Sequence, residues 1–141
     1  MLIEAQPYFD RWVSTAVAGH LGFRSCHLQR LVTRDKGEFR ALKDITCGVR
    51  RRLSEVKTPT ITVGCYCDNG VVESVGLTWF LMQLLEALGY VVLQPIFLGR
   101  ELTWPAVRCQ RLHGPGACME CDPDADSEPR RRLKAIILHV V

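Results

Sequence analysis

The pattern of apolar and polar positions is most regular in the middle of the chain. Between residues 39 and 56 the apolar positions recur every three or four residues, at Phe39, Leu42, Ile45, Val49, Leu53 and Val56. Charged residues occupy the opposite positions, at Arg40, Lys43, Asp44, Arg50, Arg51 and Glu55. This period predicts an amphipathic helix over 39–56. The residues Asp35-Lys36-Gly37 before it predict a turn.

A buried strand, a tight turn and a second helix are predicted next. Residues 61–67 form a short apolar, β-branched run, and the cluster 67–70 contains Asn-Gly, which accepts a positive φ. A helix is predicted to open at Glu73-Ser74 and to run over 75–88, with Gly89 as its stop. Its polar positions are Thr78, Gln83 and Glu86. A helix that is apolar on most of its circumference is expected to be buried against a sheet.

Strand, helix and strand in this order predict a βαβ unit with a parallel sheet. Its second strand is residues 90–97, in which Pro95 indicates an edge or a bulge. The expected fold class is therefore α/β: a single domain over 36–141, with a mostly parallel sheet flanked by helices and a Cys/His-rich loop near the C-terminus.

Two further segments are assigned more coarsely. The segment 1–35 is kept apart from this domain, and its spacing favours a helix over 7–18 and allows a strand over 26–33. The apolar run 135–141 is either a last strand or the end of a helix that covers the sheet.

Composition fits one globular domain and leaves the function open. The chain has 141 residues, 48% of them hydrophobic, and a formal net charge of +3, which is too small to indicate nucleic-acid binding by itself. The positive charge is concentrated in two arginine triplets, Arg50–Arg52 and Arg130–Arg132. No apolar run reaches the ~20 residues that span a bilayer, and the N-terminus has no signal-peptide pattern. The chain has seven cysteines. Because this number is odd, reduced thiols in the cytosol are expected rather than a disulfide framework.

The strand–turn–helix junction at 67–74 is the first candidate site, because the N–H groups of a helix's first turn and the helix dipole attract anions. Several known layouts do not fit it. A cysteine phosphatase needs an arginine at the position that Glu73 occupies relative to Cys67. The junction also lacks the Gly-Lys-Ser/Thr of a phosphate-binding P-loop and the glycine pattern of a dinucleotide site.

The same stretch, Cys67-Asp-Asn-Gly-Val-Val-Glu-Ser-Val75, resembles the C-terminal domain of RapZ-type proteins. That family carries Cys-Thr-Gly-Gly-x-His-Arg-Ser-Val here, between a strand and a helix. The positions that agree are Cys67, Gly70, Ser74 and Val75. The positions that differ are Asp68, Asn69, Val72 and Glu73, the last two in place of the histidine and the arginine. The likeness covers residues 60–98.

The resemblance implies an α/β fold that recognises phosphate. By analogy with bacterial members, it implies a non-catalytic adaptor that binds small RNA and an amino-sugar phosphate. The residues it assigns to ligand or anion binding are Cys67, Asp68, Asn69, Gly70, Glu73 and Ser74. An arginine at the helix start supplies most of the charge-assisted bonding to a phosphate, and Glu73 has the opposite sign. The loop is therefore expected to bind RNA or a phosphorylated small molecule weakly or not at all.

Two alternatives to the adaptor stay open. One is a cysteine-dependent phosphoryl- or acyl-transfer enzyme with Cys67 as nucleophile beside the helix N-terminus. Such an enzyme needs a base or an anion clamp, and the local ionisable residues are Asp68 and Glu73. The other alternative is a pseudo-domain that only contacts another protein, which the carboxylate of Glu73 favours.

The Cys/His-rich loop at 104–121 is a second candidate site. Its four candidate ligands are Cys109, His113, Cys118 and Cys121. This set can bind one Zn²⁺ tetrahedrally, in a structural role because the protein fills every ligand position. Free surface thiols are the alternative.

A nucleic-acid surface is the third candidate. It consists of Arg130, Arg131 and Arg132, which Arg108 and Arg111 could extend. Stacking on bases needs aromatic residues among the arginines, and Trp104 is the one available nearby. This gives weak support for RNA as a partner.

Overall fold

The computed structural model describes residues 1–5, 8, 20–22, 36–55, 60–68, 70–98, 100, 103–104, 107–113, 131, 135 and 137–138, with the backbone alone at 36–42, 110 and 113. Within them the elements are, in chain order, strand β1 (Leu2–Glu4), helix α1 (Lys36–Glu55), strand β2 (Gly64–Tyr66), helix α2 (Glu73–Ala87) and helix α3 (Arg108–His113). Helices with a two-stranded parallel sheet form a small α/β arrangement, as the sequence predicts.

The sheet is a parallel pair of β1 and β2, in which Ile3 lies opposite Cys65. The Ala5 N–H donates to the Tyr66 carbonyl at 2.8 Å and extends the ladder. Ile3 and Ala5 are both buried in the core, because alternate side chains of a strand lie on one face of the sheet. The strand predicted over 61–67 is confirmed in a shorter form. Its partner comes from the N-terminal segment, at positions where the sequence pattern predicts no strand.

The amphipathic pattern of α1 is confirmed. Ile45 and Val49 are buried, and the described charged residues of the opposite face are exposed. The turn predicted at 35–37 is wrong for Lys36 and Gly37, which lie in the first turn of α1. A glycine destabilises a helix by only about 1 kcal/mol, which the burial of the apolar face that follows can offset.

The centre of the core is α2. Its buried residues are Ser74, Val75, Gly76, Leu77, Trp79, Phe80, Leu81 and Leu84. They cover most of the circumference, as predicted, and α2 packs on β2. Phe80, Leu77 and Leu84 are fully buried, and each such side chain stabilises the fold by roughly 1.5–3 kcal/mol. This packing holds the start of α2 in a fixed position next to β2.

The end of α2 is a Schellman motif, which confirms Gly89 as the helix stop. Gly89 has a φ of +86, a left-handed conformation that disfavours other residues. The Gly89 N–H donates to the Glu86 carbonyl at 2.9 Å, and the Tyr90 N–H donates to the Leu85 carbonyl at 3.0 Å. These are the two hydrogen bonds that define the motif. They fix the backbone of Tyr90 relative to the last turn of α2.

The strand predicted over 90–97 is wrong. All of these residues are described, and they form neither helix nor strand. The exposed apolar side chains of the segment are Val91, Leu93, Ile96 and the following Leu98. Apolar, β-branched composition favours an extended backbone, but a strand also needs a neighbouring edge with which to pair. In the described sheet the partner of β2 is β1, which composition alone does not reveal.

Several predicted elements lie wholly or largely outside the described residues. The helix over 7–18 is described only at Tyr8, and the strand over 26–33 is not described. At the C-terminus residues 135, 137 and 138 are helical and Ile137 belongs to the core, which favours the helical interpretation of 135–141. No helix among the described residues combines the length and the apolar content needed to cross a membrane.

Candidate functional site at the junction of β2 and α2

The junction between β2 and α2 consists of Cys67, a turn and the first residues of α2. Gly70 in the turn has a φ of +65, which confirms the left-handed position predicted there. Asp68 is exposed and Glu73 is half-buried, while Asn69 lies outside the described residues. The structure therefore places five of the six predicted anion-binding residues at one end of α2: Cys67, Asp68, Gly70, Glu73 and Ser74.

The sulfur of Cys67 caps the start of α2. The Ser74 N–H donates to the Cys67 Sγ at 3.3 Å, and the Cys67 thiol donates to the Ser74 Oγ at 3.2 Å. Ser74 is the second residue of α2, and the N–H at that position is one that an N-cap side chain normally satisfies. Val72, which stands at the N-cap, makes no side-chain cap hydrogen bond. Cys67 thus performs the N-cap role from across the turn.

Ser74 is tied into the protein rather than directed to solvent. Only 7% of its surface is exposed. Its carbonyl accepts a hydrogen bond from the Thr78 Oγ1 at 2.8 Å. An anion could bind the Ser74 N–H only by displacing the Cys67 sulfur, which is half-buried.

Glu73 sets the sign of the charge at the start of α2. It is the acidic residue of the first turn, where a carboxylate interacts favourably with the helix dipole by roughly 0.3–1 kcal/mol. The dipole that could attract a phosphate is therefore already compensated by a side chain of the protein. A phosphate at the same place would also be repelled by the carboxylate.

A short segment that the sequence pattern does not single out covers the junction. Leu21 and Gly22 are buried, and the Gly22 N–H donates to the Val71 carbonyl at 2.9 Å. A Cβ at position 22 would lie 1.9 Å from the Val72 carbonyl oxygen and 2.7 Å from the Gly76 nitrogen, so a larger residue does not fit. In the sequence Gly22 indicates only the end of a helix, because close approach of a distant backbone has no spacing signal.

A second cysteine, Cys65, faces the same helix as Cys67. Burial raises the pKa of the Cys65 thiol above its ordinary value, and a hydrogen bond with Thr78 acts in the opposite direction. Burial dominates, so the protein favours the neutral thiol at this position. A neutral thiol packed beside a helix fits a structural part of the β2–α2 contact better than a nucleophile.

The predicted zinc ligands are described only in part. Cys109 lies on α3, has 2% of its surface exposed and belongs to the apolar core. His113 is the last residue of α3, four positions after Cys109. The side chain of His113, and all of Cys118 and Cys121, lie outside the described residues. Within the part of the chain that is described, no three candidate metal ligands come together.

The predicted nucleic-acid surface is described at one of its three positions. Arg131 is helical and exposed, whereas Arg130 and Arg132 lie outside the described residues. Trp104, the one aromatic residue near these arginines in the sequence, is not placed to stack on a base. Trp104 is buried in the core, and its ring lies 5.2 Å from the ring of Phe97, centroid to centroid.

No family model matches the chain, and neither a curated protein nor a solved structure matches it. The resemblance to the RapZ C-terminal domain therefore stays a prediction from the residues at 67–75. The geometry adds that the helix start in this junction is capped by Cys67 and covered by residues 21–22.

Proposed function

We propose that this protein is a non-catalytic binding or adaptor domain of the RapZ C-terminal type, in which the junction at 67–75 has a structural role. Its ligand is RNA or a phosphorylated small molecule of the amino-sugar phosphate class. The junction contributes little to that binding, since the two cationic side chains that the family resemblance leads one to expect there are replaced by Val72 and Glu73.

The observation that carries this proposal is the reciprocal pair of hydrogen bonds between Cys67 and Ser74. In an anion site the N–H groups of the first helical turn point at the ligand. Here the N–H of Ser74 points at a protein sulfur, and Glu73 supplies the negative charge next to it. The same contacts support a non-catalytic role for Cys67, because its thiol is half-buried and serves as a cap.

The finer description of the fold is part of the proposal. Strand β1, helix α1 and strand β2 follow one another, and the two strands are parallel. This order supports a single domain with a βαβ core, whose connection includes α1 instead of α2. In such folds ligands bind outside the carboxyl ends of the strands. In this chain the carboxyl end of β2 is the junction at 67–75, which Cys67 and Glu73 already engage, so the proposal places the ligand elsewhere on the molecule.

A binding titration tests the proposed function. The purified chain is titrated with short single-stranded RNA and with an amino-sugar phosphate, at low and moderate salt, beside the variant Glu73→Arg. The expected result is binding by the wild type and no gain in affinity in Glu73→Arg, because the Ser74 N–H is occupied in both. Absence of binding to both ligands in the wild type would overturn the proposal. A clear gain in phosphate affinity in the variant would show that the junction is an anion site suppressed by Glu73.

A structural zinc ion held by Cys109, His113, Cys118 and Cys121 is a further part of the proposal. Its support is that positions 109 and 113 are one turn apart on α3, so both can face one ion. Elemental analysis should find about one zinc per chain. Protein that contains no zinc after refolding with zinc available would contradict the site.

A further inference from the structure

Two residues of the first arginine triplet, Arg50 and Arg51, line a cleft together with Tyr90 that the sequence pattern does not indicate. It lies between the C-terminal half of α1 and Tyr90, which comes three residues after the last residue of α2, and it has a volume of about 350 Å³. Its lining residues are Cys47, Arg50, Arg51, Ser54 and Tyr90. This volume is within the ~300–1,000 Å³ range of small-molecule sites.

The lining residues meet for clear geometric reasons. Positions 47, 50, 51 and 54 are three, four and seven apart, so they share one face of α1. On the other side of the cleft, the Schellman motif at Gly89 fixes the backbone of Tyr90. Tyr90 is half-buried.

The charges of the cleft are available to a ligand. Arg50 and Arg51 are both exposed. The Arg51 Nε is 3.8 Å from the Glu55 Oε1, and both side chains are largely exposed, 74% and 59%. An exposed pair of this kind contributes ~0–1 kcal/mol, so a phosphate can take the place of the carboxylate. Ser54 donates its hydroxyl to the Arg51 carbonyl at 2.7 Å, and its oxygen remains able to accept a hydrogen bond.

We infer that this cleft binds a nucleotide unit, with the phosphate on Arg50 and Arg51 and the base stacked on Tyr90. Guanidinium groups bind phosphate through charge-assisted hydrogen bonds, often in pairs. Aromatic rings beside arginines are the usual combination for binding single-stranded nucleic acid. The cleft is separate from the junction at 67–75, and the inference rests on the proposed function because it names the part of the molecule that takes the RNA. The unit can come from a free nucleotide or from single-stranded RNA.

Helix geometry offers a simpler explanation for the arginines, but it does not account for the ring. Cations near the C-terminus of a helix interact favourably with its dipole, and Arg52 in the last turn of α1 fits that explanation. Arg52 does not line the cleft. It belongs to the same run and is exposed in the same way, so it is the matched control for Arg50 and Arg51.

Fluorescence anisotropy with a short labelled single-stranded RNA tests the cleft. Arg50→Ala and Arg51→Ala should each weaken binding by about tenfold, the size expected for a lost charge-assisted hydrogen bond. Arg52→Ala should weaken it by less than about twofold. Tyr90→Phe should keep the affinity, and Tyr90→Leu, which keeps an apolar side chain without the ring, should lose roughly fivefold or more. In Arg50→Ala, the slope of log affinity against log salt should fall by about 0.7.

Competition separates the two sources of the ligand. A nucleoside monophosphate should displace the RNA more effectively than inorganic phosphate, because only the former can stack on Tyr90. If the monophosphate displaces the RNA at concentrations near the dissociation constant of the protein–monophosphate complex, the cleft binds free nucleotides as well as RNA. Equal competition by phosphate and monophosphate would overturn the assignment of the base to Tyr90.

Three results would overturn the inference. Equal losses in Arg50→Ala, Arg51→Ala and Arg52→Ala would show diffuse charge attraction. RNA binding that is unchanged by the cleft variants but lost on replacement of Arg130–Arg132 would place the ligand elsewhere and would leave the proposed function standing. Absence of RNA and nucleotide binding in the wild type would remove the cleft together with the RNA part of the proposed function. Circular dichroism of each variant confirms that it is folded.

Discussion

The two ends of α2 differ in what occupies them. At the start, the Ser74 N–H is bonded to Cys67, Glu73 faces the dipole, and Gly22 lies against the backbone. At the end, the Schellman motif satisfies the last carbonyls internally, and Tyr90 lies next to a solvent-open cleft with two arginines. The start of α2 has the sequence motif of an anion-binding site, whereas the end of α2 lies beside a cleft that is open to a ligand.

This difference shows that, in a strand–turn–helix junction, the protein's own side chains can engage a first-turn N–H group and the helix dipole. At 67–75 the glycine and the serine both have structural roles: Gly70 turns the chain with φ +65, and Ser74 is hydrogen-bonded to Cys67. The charge that a phosphate needs is absent from this loop and present near Tyr90. The comparison can be tested from both ends of α2.

The largest effect is expected at the covered start of α2. Gly22→Ala should destabilise the protein by about 3 kcal/mol, because its Cβ would overlap backbone atoms that cannot move away like a side chain. The matched control is Gly48→Ala in α1, where the nearest atom is the Met1 Cε at 3.9 Å. That change should stabilise the protein by roughly 0.5–1 kcal/mol. Chemical denaturation measures both, and equal effects would show that residues 20–22 do not pack as described.

The end of α2 should be the next most sensitive position. Gly89→Ala should destabilise by about 1–2 kcal/mol because the φ of +86 is strained for a residue with a Cβ. Gly89→Asn should lose less, since asparagine tolerates this conformation. If the motif positions Tyr90, the alanine variant should also bind RNA more weakly than the asparagine variant. Equal stability of the two variants would contradict the strain.

The cap at the start of α2 should contribute about as much as an ordinary N-cap. Cys67→Ala should destabilise by about 1 kcal/mol because the Ser74 N–H loses its acceptor. Cys67→Ser should retain most of that stability, since a hydroxyl can accept the same hydrogen bond. The exposed Cys47 of α1 is the control, and its change to Ala should stay within about 0.5 kcal/mol. If Cys67→Ala behaves like Cys47→Ala, the sulfur is not a cap.

The smallest effect is a loss of stability at alkaline pH. Burial raises the pKa of Cys65, and burial followed by the charge of Asp44 raises the pKa of Tyr8. Groups with raised pKa values in the folded state stabilise it below their ordinary pKa, and this contribution is lost as pH rises. Stability should therefore fall above pH 9.0 for the thiol and above pH 10.0 for the phenol.

Two variants separate these contributions. Cys65→Ala should remove the loss of stability that begins above pH 9.0. Asp44→Asn should reduce the loss that begins above pH 10.0, because Asp44 contributes to the raised pKa of Tyr8. The measurement is the free energy of unfolding against pH. A value that does not fall above pH 9.0 would contradict the burial of Cys65.

Local periodicity predicts α1 and α2 well and the sheet poorly, and it gives no indication of α3, which lies in the segment predicted as a Cys/His-rich loop. The apolar period over 39–56 and the stop at Gly89 correspond to α1 and α2 within a few residues. The partner of β2 could not be predicted, because pairing of residues 2–4 with 64–66 depends on contacts distant in sequence. The run at 90–97 has the composition of a strand but is not paired with one. Composition alone therefore does not predict whether a segment joins a sheet.

The same limit applies to the candidate site. Chemical types and spacing placed Cys67, Gly70 and Ser74 at a helix start, as the structure has them. Spacing could not show that Cys67 bonds the Ser74 N–H, which depends on how β2 packs on α2. Spacing also could not show that Tyr90 and Arg50 line the same cleft, because they are distant in sequence and only the fold places them close together.

The most direct measurement is an amide NMR titration of the full chain, with side-chain signals of arginine included. The probes are inorganic phosphate and a nucleoside monophosphate. The closed start of α2 predicts that the amide signals of Gly70 and Ser74 stay in place with either probe. The open cleft predicts that the monophosphate shifts the Tyr90 amide and the Arg51 Nε–H. Shifts at Gly70 and Ser74 with Tyr90 unmoved would contradict this account and return the ligand to the junction at 67–75.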